Sequence, residues 1–341
     1  MQDETCRAFR VKEIKMSLVR DLRIMAAQTI GLGVGIGEVF FVVTARDTTD
    51  AYYSYLRTKY VPEGMIYTTV ATAYAAAVSD RNDIIFKMPG IETVAAELDW
   101  AKNRTHLVGL GGPQQKGYES GTGLYSSTIT VANVIHNTGV NNQFHNITVM
   151  NAGANATCLS AFKNAGYGTR MIGCQIIGHA AATQAATALA NSLEIAEGGY
   201  YFYAEKCNFG STDFGTLGAN TAAVLVFSNT TGGAAPSDGK FVNCNFSAQI
   251  NATTRCLIYS TRLGLDRDWI FDRCEFYAFA ANHGYVMTQV ATNEANPTTY
   301  DMVFKDCVAI NCTEFRTNSN GCTWTIGPAA DGKGGIAVVV T

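Results

Sequence analysis

The 341-residue sequence is short of charge: Asp, Glu, Lys and Arg supply 16% of it, against roughly a quarter in most soluble domains. The formal net charge is −3 and no basic stripe appears, so neither nucleic acid nor an anionic membrane surface is expected as a partner. Proline is scarce at six residues and histidine at five. None of the ten cysteines forms a CxxC pair, which removes the common zinc and redox spacings. Only His179 lies within five residues of a cysteine, Cys174. No metal and no cofactor is expected.

The longest apolar run, MAAQTIGLGVGIGEVFFVV from Met25, is interrupted by Gln28 and Glu38 and carries four glycines. It reads neither as a membrane span nor as a signal peptide, because the charged stretch ahead of it is too long. Its GLGVGIG segment precedes a strand instead of following one and opening a helix, so it is no dinucleotide loop. Residues 1–37 are expected to form an N-terminal arm used for attachment or oligomerisation, bearing Arg7, Arg10, Lys12, Lys15, Arg20 and Arg23 against Asp3, Glu4, Glu13 and Asp21.

What is present is a repeat. FHNITVMN around Ile147, MIGCQIIG at Cys174, AEKCNFGS at Cys207, FVNCNFSA at Cys244, FDRCEFYA at Cys274 and FKDCVAIN at Cys307 share one pattern, at intervals of 27, 33, 37, 30 and 33 residues. Two residues after the aligned position come Val149, Ile176, Phe209, Phe246, Phe276 and Ala309; three residues before it come Phe144, Met171, Ala204, Phe241, Phe271 and Phe304. The two-residue alternation is that of a strand. A second strand precedes each copy, as in SLEIAE from 192 and AVLVFS from 223. Two or three short strands per repeat, without helical periodicity, predict a coiled β-solenoid; propeller blades need four strands and about 40–50 residues.

In a solenoid the aligned Cys174, Cys207, Cys244, Cys274 and Cys307 stack on successive rungs. The geometry of in-register side chains does not suit a disulfide, so a reduced core stack is expected. Just before them stand Asn146, Gly173, Lys206, Asn243, Arg273 and Asp306. Asn and Gly tolerate left-handed backbone, which predicts a bend between two sheets. Arg273 and Asp306 fall on neighbouring rungs, where an exposed pair would contribute little.

Upstream, TVATAYAAAVSDRNDIIFKMPG from Thr69 reads as an amphipathic helix near 69–80 that breaks at Asp80–Asn82 and enters a strand, followed by NRTHLVGLGGP from Asn103. Such a helix would cover the open end of a solenoid. These residues resemble the pectin-lyase-like superfamily of right-handed parallel β-helices, and most of all its members among tailed-phage virion components. The resemblance implies an all-β fold: a right-handed parallel β-helix over residues 38–341 with an N-terminal capping helix.

Members of that superfamily include calcium-dependent lyases and phage tailspikes that hydrolyse glycans with paired carboxylates. Such pairs flank one bond at about 5–9.5 Å. From Gly111 to Ile250 the acids are few: Glu119, Glu194, Glu197, Glu205, Asp213 and Asp238. The densest group is Asp266, Asp268, Asp272 and Glu275, with Trp269 as a candidate carbohydrate platform, but Arg267 and Arg273 are interleaved with it. The reading that results is a non-enzymatic structural protein of a phage virion, assembled in the host cytoplasm. It would decorate the capsid or form a spike or fibre subunit, as a homotrimer contacting other virion proteins, with a host surface glycan as a further expected partner. A tailspike-like hydrolase or lyase, or a glycan-binding module, is the alternative. Alanine-rich runs such as HAAATQAATALANS from His179 are expected to pack against like subunits.

Overall fold

A computed structural model describes residues 37–43, 49–59, 61–111, 121–219, 221–229, 234–250, 255–261, 265–280, 287–293, 302–314, 323–326 and 337–338. The arm expected at 1–37 therefore lies, but for its last residue, outside the described residues. Three sheets run the length of the chain, with twelve, eight and eight strands among the described residues (sheets 1, 2 and 3). From the strand Asp83–Lys87 onward, neighbours within a sheet are three strands apart in the chain and parallel, so each rung gives one strand to each sheet in turn. The fold is a right-handed parallel β-helix. Its last pair, Thr323–Ile326 with Ala337–Val338, is antiparallel.

Register sets the apolar columns side by side. In sheet 1, Phe144 faces Met171, which faces Ala204, and the column continues through Phe241, Phe271 and Phe304. In sheet 2, Val149, Ile176, Phe209, Phe246, Phe276 and Ala309 pair in the same way. The aromatic rings stack: Phe246 on Phe276 at 5.0 Å and Phe271 on Phe304 at 4.9 Å. Such pairs contribute about 0.5–1.5 kcal/mol each beyond the area they bury.

The bend between sheets 1 and 2 is made by the residues before the cysteines. Asn146, Gly173, Lys206, Asn243, Arg273 and Asp306 all have φ between 50° and 61°. Their N–H groups tie the rungs together: Gly173 donates to Glu205 O and Asn243 to Asp272 O, both at 2.9 Å. Arg273 and Asp306 do not pair among the described residues; Arg273 Nε instead lies 3.3 Å from Asp272 Oδ1, the residue before it. Behind the bend the cysteines are free thiols, with Cys244 only 2% exposed and Cys307 half-buried. The Cys174 N–H donates to Cys207 Sγ and the Cys274 N–H to Cys307 Sγ, both at 3.4 Å.

A second left-handed column, not anticipated from sequence, marks the bend from sheet 3 to sheet 1: Arg104, Asn141, Gly168, Tyr201, Asp238 and Asp268. It too is laced across rungs, Asn141 N–H donating to Tyr167 O and Gly168 N–H to Tyr200 O at 2.8 Å. Inside this bend lies a buried amide network. Asn137 Nδ2 donates to Asn164 Oδ1 and Thr169 Oγ1, and Asn142 Nδ2 donates to Asn137 Oδ1, all at 2.8 Å.

At the N-terminal end the helix Val70–Ala76 buries Val70 and Ala73 in the main core and stacks Tyr74 on Trp100 at 4.2 Å. Thr69 caps its start, its Oγ1 accepting from Thr72 N–H. Lys102 Nζ closes its other end, donating to Tyr74 O, Ala75 O and Ala77 O at 2.7–2.9 Å. Asp80 and Asn82 then turn through φ 64° and 61°, and buried Asp83 accepts from the Glu38 and Val78 N–H groups and from Arg81.

A further helix, Ala51–Thr58, covers the outside of sheet 1. Its Leu56 joins Phe41, Ile66, Phe86 and Val108 in a separate small core. The alanine-rich run near 179–192 works inside the chain as well as at its surface. Ala185 and Ala190 are fully buried, and Ala182–Ala185 forms one short helical turn.

Candidate functional site

The acids singled out in the sequence do not converge. Asp266 and Asp268 sit in the bend from sheet 3 to sheet 1, either side of Arg267, whose guanidinium lies 3.3, 3.8 and 3.7 Å from Asp266, Asp268 and Asp238. Asp272 ends the sheet 1 strand Trp269–Asp272, with Lys240 Nζ 3.2 Å away. Glu275 begins the next sheet 2 strand, exposed, and accepts from Asn245 Nδ2 at 3.4 Å. The left-handed bend at Arg273 separates the last two, so the four carboxylates are spread over a turn and two sheets.

Trp269 is not a platform. It is fully buried, its indole N–H donating to Pro236 O at 3.0 Å and its ring lying edge-on to Phe227 at 4.5 Å. Two residues before inward Phe271, it must face inward as well. The exposed aromatics near this bend are Tyr167 and Tyr201, with ring centroids 5.0 Å apart.

The same alternation creates a polar face that the sequence reading missed. Because Phe144, Met171, Ala204, Phe241 and Phe271 point in, the residues on either side of each point out from sheet 1. They include Gln143 and His145, Arg170, Tyr203 and Glu205, Lys240, and Asp272. His145 Nε2 lies 2.9 Å from Gln143 Oε1, the Arg170 guanidinium sits 5.1 Å over the Tyr203 ring, and Tyr203 OH donates to Glu205 Oε2 at 3.1 Å. The signal was available as the residues flanking each core position, but their partners come from other rungs.

On this face Glu205 and Asp272 share one outward row with Val242 between them. Two rungs at ~4.8 Å put their strands about 9.6 Å apart, near the upper limit for an inverting carboxylate pair. Their environment does not suit that chemistry. A general acid needs its pKa raised. Burial alone would raise the Asp272 carboxyl, but Lys240 against it, with Lys305 and Arg273, holds it below the usual range. Glu205 is occupied by Tyr203 OH and by Lys206 Nζ at 3.5 Å.

The two histidines nearest this face, His106 and His145, offer no better base. Burial, then the charge of its neighbour His145, pushes His106 down to about 4; burial, then Arg170, does the same to His145. Both ring nitrogens of His106 are buried and have no hydrogen-bond partner among the described residues. Among the described residues no group of three or more His, Cys, Asp or Glu is placed to hold a metal ion, and no helix is long and apolar enough to cross a membrane.

No protein-family model and no curated protein matches the chain. Among solved structures, a pectin methylesterase in complex with a hexasaccharide superposes with a TM-score of 0.52 at 13% identity, over 81% of this chain and 80% of that one. A pectin methylesterase from Aspergillus niger gives 0.47 at 13% identity, over 86% and 82%. A protein of Geobacillus virus E2, ORF18, gives 0.41 at 12%, over 74% of this chain and 56% of its own. At these identities what the chain shares with the pectin methylesterase is the right-handed parallel β-helix itself.

Proposed function

We propose that this chain is a non-catalytic structural subunit of a tailed-phage virion, a capsid decoration or spike and fibre component, that acts as a homotrimer bound to other virion proteins. The observation that carries this reading is the state of its carboxylates. The acids best placed for glycan cleavage are either spread over different faces or, like Asp272 with Lys240, held ionised in a pair with a cationic side chain. Three further features support it: the continuous stacked core, the low charge of the chain, and the capping-helix and PG strand motif that resembles virion β-helices. Residues 1–37 are the part assigned to attachment.

The test is composition of the particle. Virions made from the genome that encodes this chain, purified by density gradient and analysed by quantitative mass spectrometry, should contain it in copies divisible by three. Its absence from purified particles overturns the reading.

A further inference from the structure

Sheet 2 carries on its outer face a cleft that the proposed role does not use. Gln175, Asn208 and Asn245 stand side by side on three successive rungs. With Gly210, Ser211, Thr212, Asp213 and Ser247 they line an open space of about 490 Å³, within the usual range for a ligand site. The sequence builds this space with two local devices. Gly210, at φ 78°, lies against the next rung so closely that a Cβ there would meet Ser247 O at 2.0 Å, so the floor stays flat. The register then shifts between Ser211 and Thr216, and the extra residues rise as one wall. That wall is pinned by Gln249, whose Nε2 donates to Thr212 O and whose Oε1 accepts from Thr216 Oγ1. At the far end, Tyr277 follows Ser247 on the next rung, half-buried and 6.5 Å from Phe279.

The lining determines the ligand. The side-chain amides of Gln175 and Asn208 make no hydrogen bond within the described residues, and each offers a donor and an acceptor. Asn245 is oriented by Glu275. An amide repeated every ~4.8 Å matches the hydroxyls of an extended sugar chain, whose units have a similar length. Among the described residues Asp213 is the one charge in the lining and can accept from paired hydroxyls, while Tyr277, beside Ser247 on the next rung and just outside the lining, offers an aromatic ring to the apolar face of a pyranose. Among the described residues the lining contains no cation, which disfavours an anionic chain.

We infer that this cleft binds a neutral polysaccharide, seated along the row Gln175, Asn208 and Asn245. The inference does not require the virion role: failure of one leaves the other standing, because particle composition and glycan retention are read separately.

The experiment is affinity electrophoresis of the full chain in gels containing dextran, mannan, laminarin or hydroxyethyl cellulose, with polygalacturonate as the anionic control. At least one neutral polymer should retard the protein and polygalacturonate should not. Replacing Asn208 and Asn245 together by Ala should weaken retention about tenfold or more. Asp213→Asn, an exposed change that leaves the fold intact, should weaken it by a smaller factor. Tyr201→Ala, at the exposed aromatic pair on another edge, should leave it unchanged. Circular dichroism and melting of each variant separate lost binding from lost folding. Lack of retardation by every neutral polymer overturns the inference, as does retardation that survives in folded N208A/N245A or that disappears in Y201A.

Discussion

Phe271 lies flat on Phe241, ring centroids 4.9 Å apart and planes 5° from parallel, although thirty residues separate them in the chain. Each also meets the sheet 2 column edge-on, Phe241 against Phe246 at 5.4 Å and Phe271 against Phe276 at 5.8 Å. The core is thus two aromatic ladders locked together around the bend. Phe271→Ala should lower the unfolding free energy by about 3–5 kcal/mol, measured by urea denaturation. A loss under 1 kcal/mol would mean that the ladder can close around the gap.

Lys206 holds φ 52° with a Cβ, at a cost of roughly 1–2 kcal/mol. Lys206→Gly should raise the melting temperature by a few degrees despite the entropy of glycine in the unfolded chain. Lys206→Val, branched at Cβ, should lower it. Differential scanning calorimetry of the pair checks the sign, and a lower melting temperature for the glycine variant would contradict the bend.

His179 is buried, with Nε2 2.7 Å from Ala190 O, and burial pushes its imidazole down to about 4. The unfolded chain takes up its proton near pH 6.5, whereas the folded chain does not until about pH 4. Stability is therefore full above the first value and falls as pH drops toward the second, by an amount on the order of 3 kcal/mol. His106 and His145 act in the same direction. Urea midpoints should decrease from pH 7 to pH 4.5, and His179→Asn, tolerant of φ 59°, should flatten part of that slope.

Burial pushes the Cys207 thiol far above its ordinary value, and Cys244 beside it is equally enclosed. Iodoacetamide at pH 8 should leave both unmodified in the native protein and modify them in urea, as read by peptide mass mapping. Rapid native labelling of Cys244 would contradict the register.

The repeat was legible because its two columns fall on both sides of a fixed bend, so Phe241 and Phe246 keep the same separation in every rung. The second bend was not. Its residues include Arg104 and Tyr201, which carry no turn signal, and the strands before it lie at variable distances. Trp269 was misread because Asp266 and Asp268 make its surroundings look like a loop; the two-residue step to Phe271 decides its direction. The outer face of sheet 1 stayed hidden for another reason. Arg170, Tyr203 and Lys240 become neighbours only once the rungs are stacked, and their spacing of 33 and 37 residues has no meaning before that.

The claim that the chain does not cut glycans is tested most directly by reducing-end release. Stoichiometric amounts of the protein would be incubated with host capsular and cell-wall polysaccharides from pH 4 to pH 8. The account predicts no new reducing ends above the buffer control and no change in polymer length. Cleavage that vanishes in Glu205→Gln, Asp272→Asn or Asp268→Asn would contradict it.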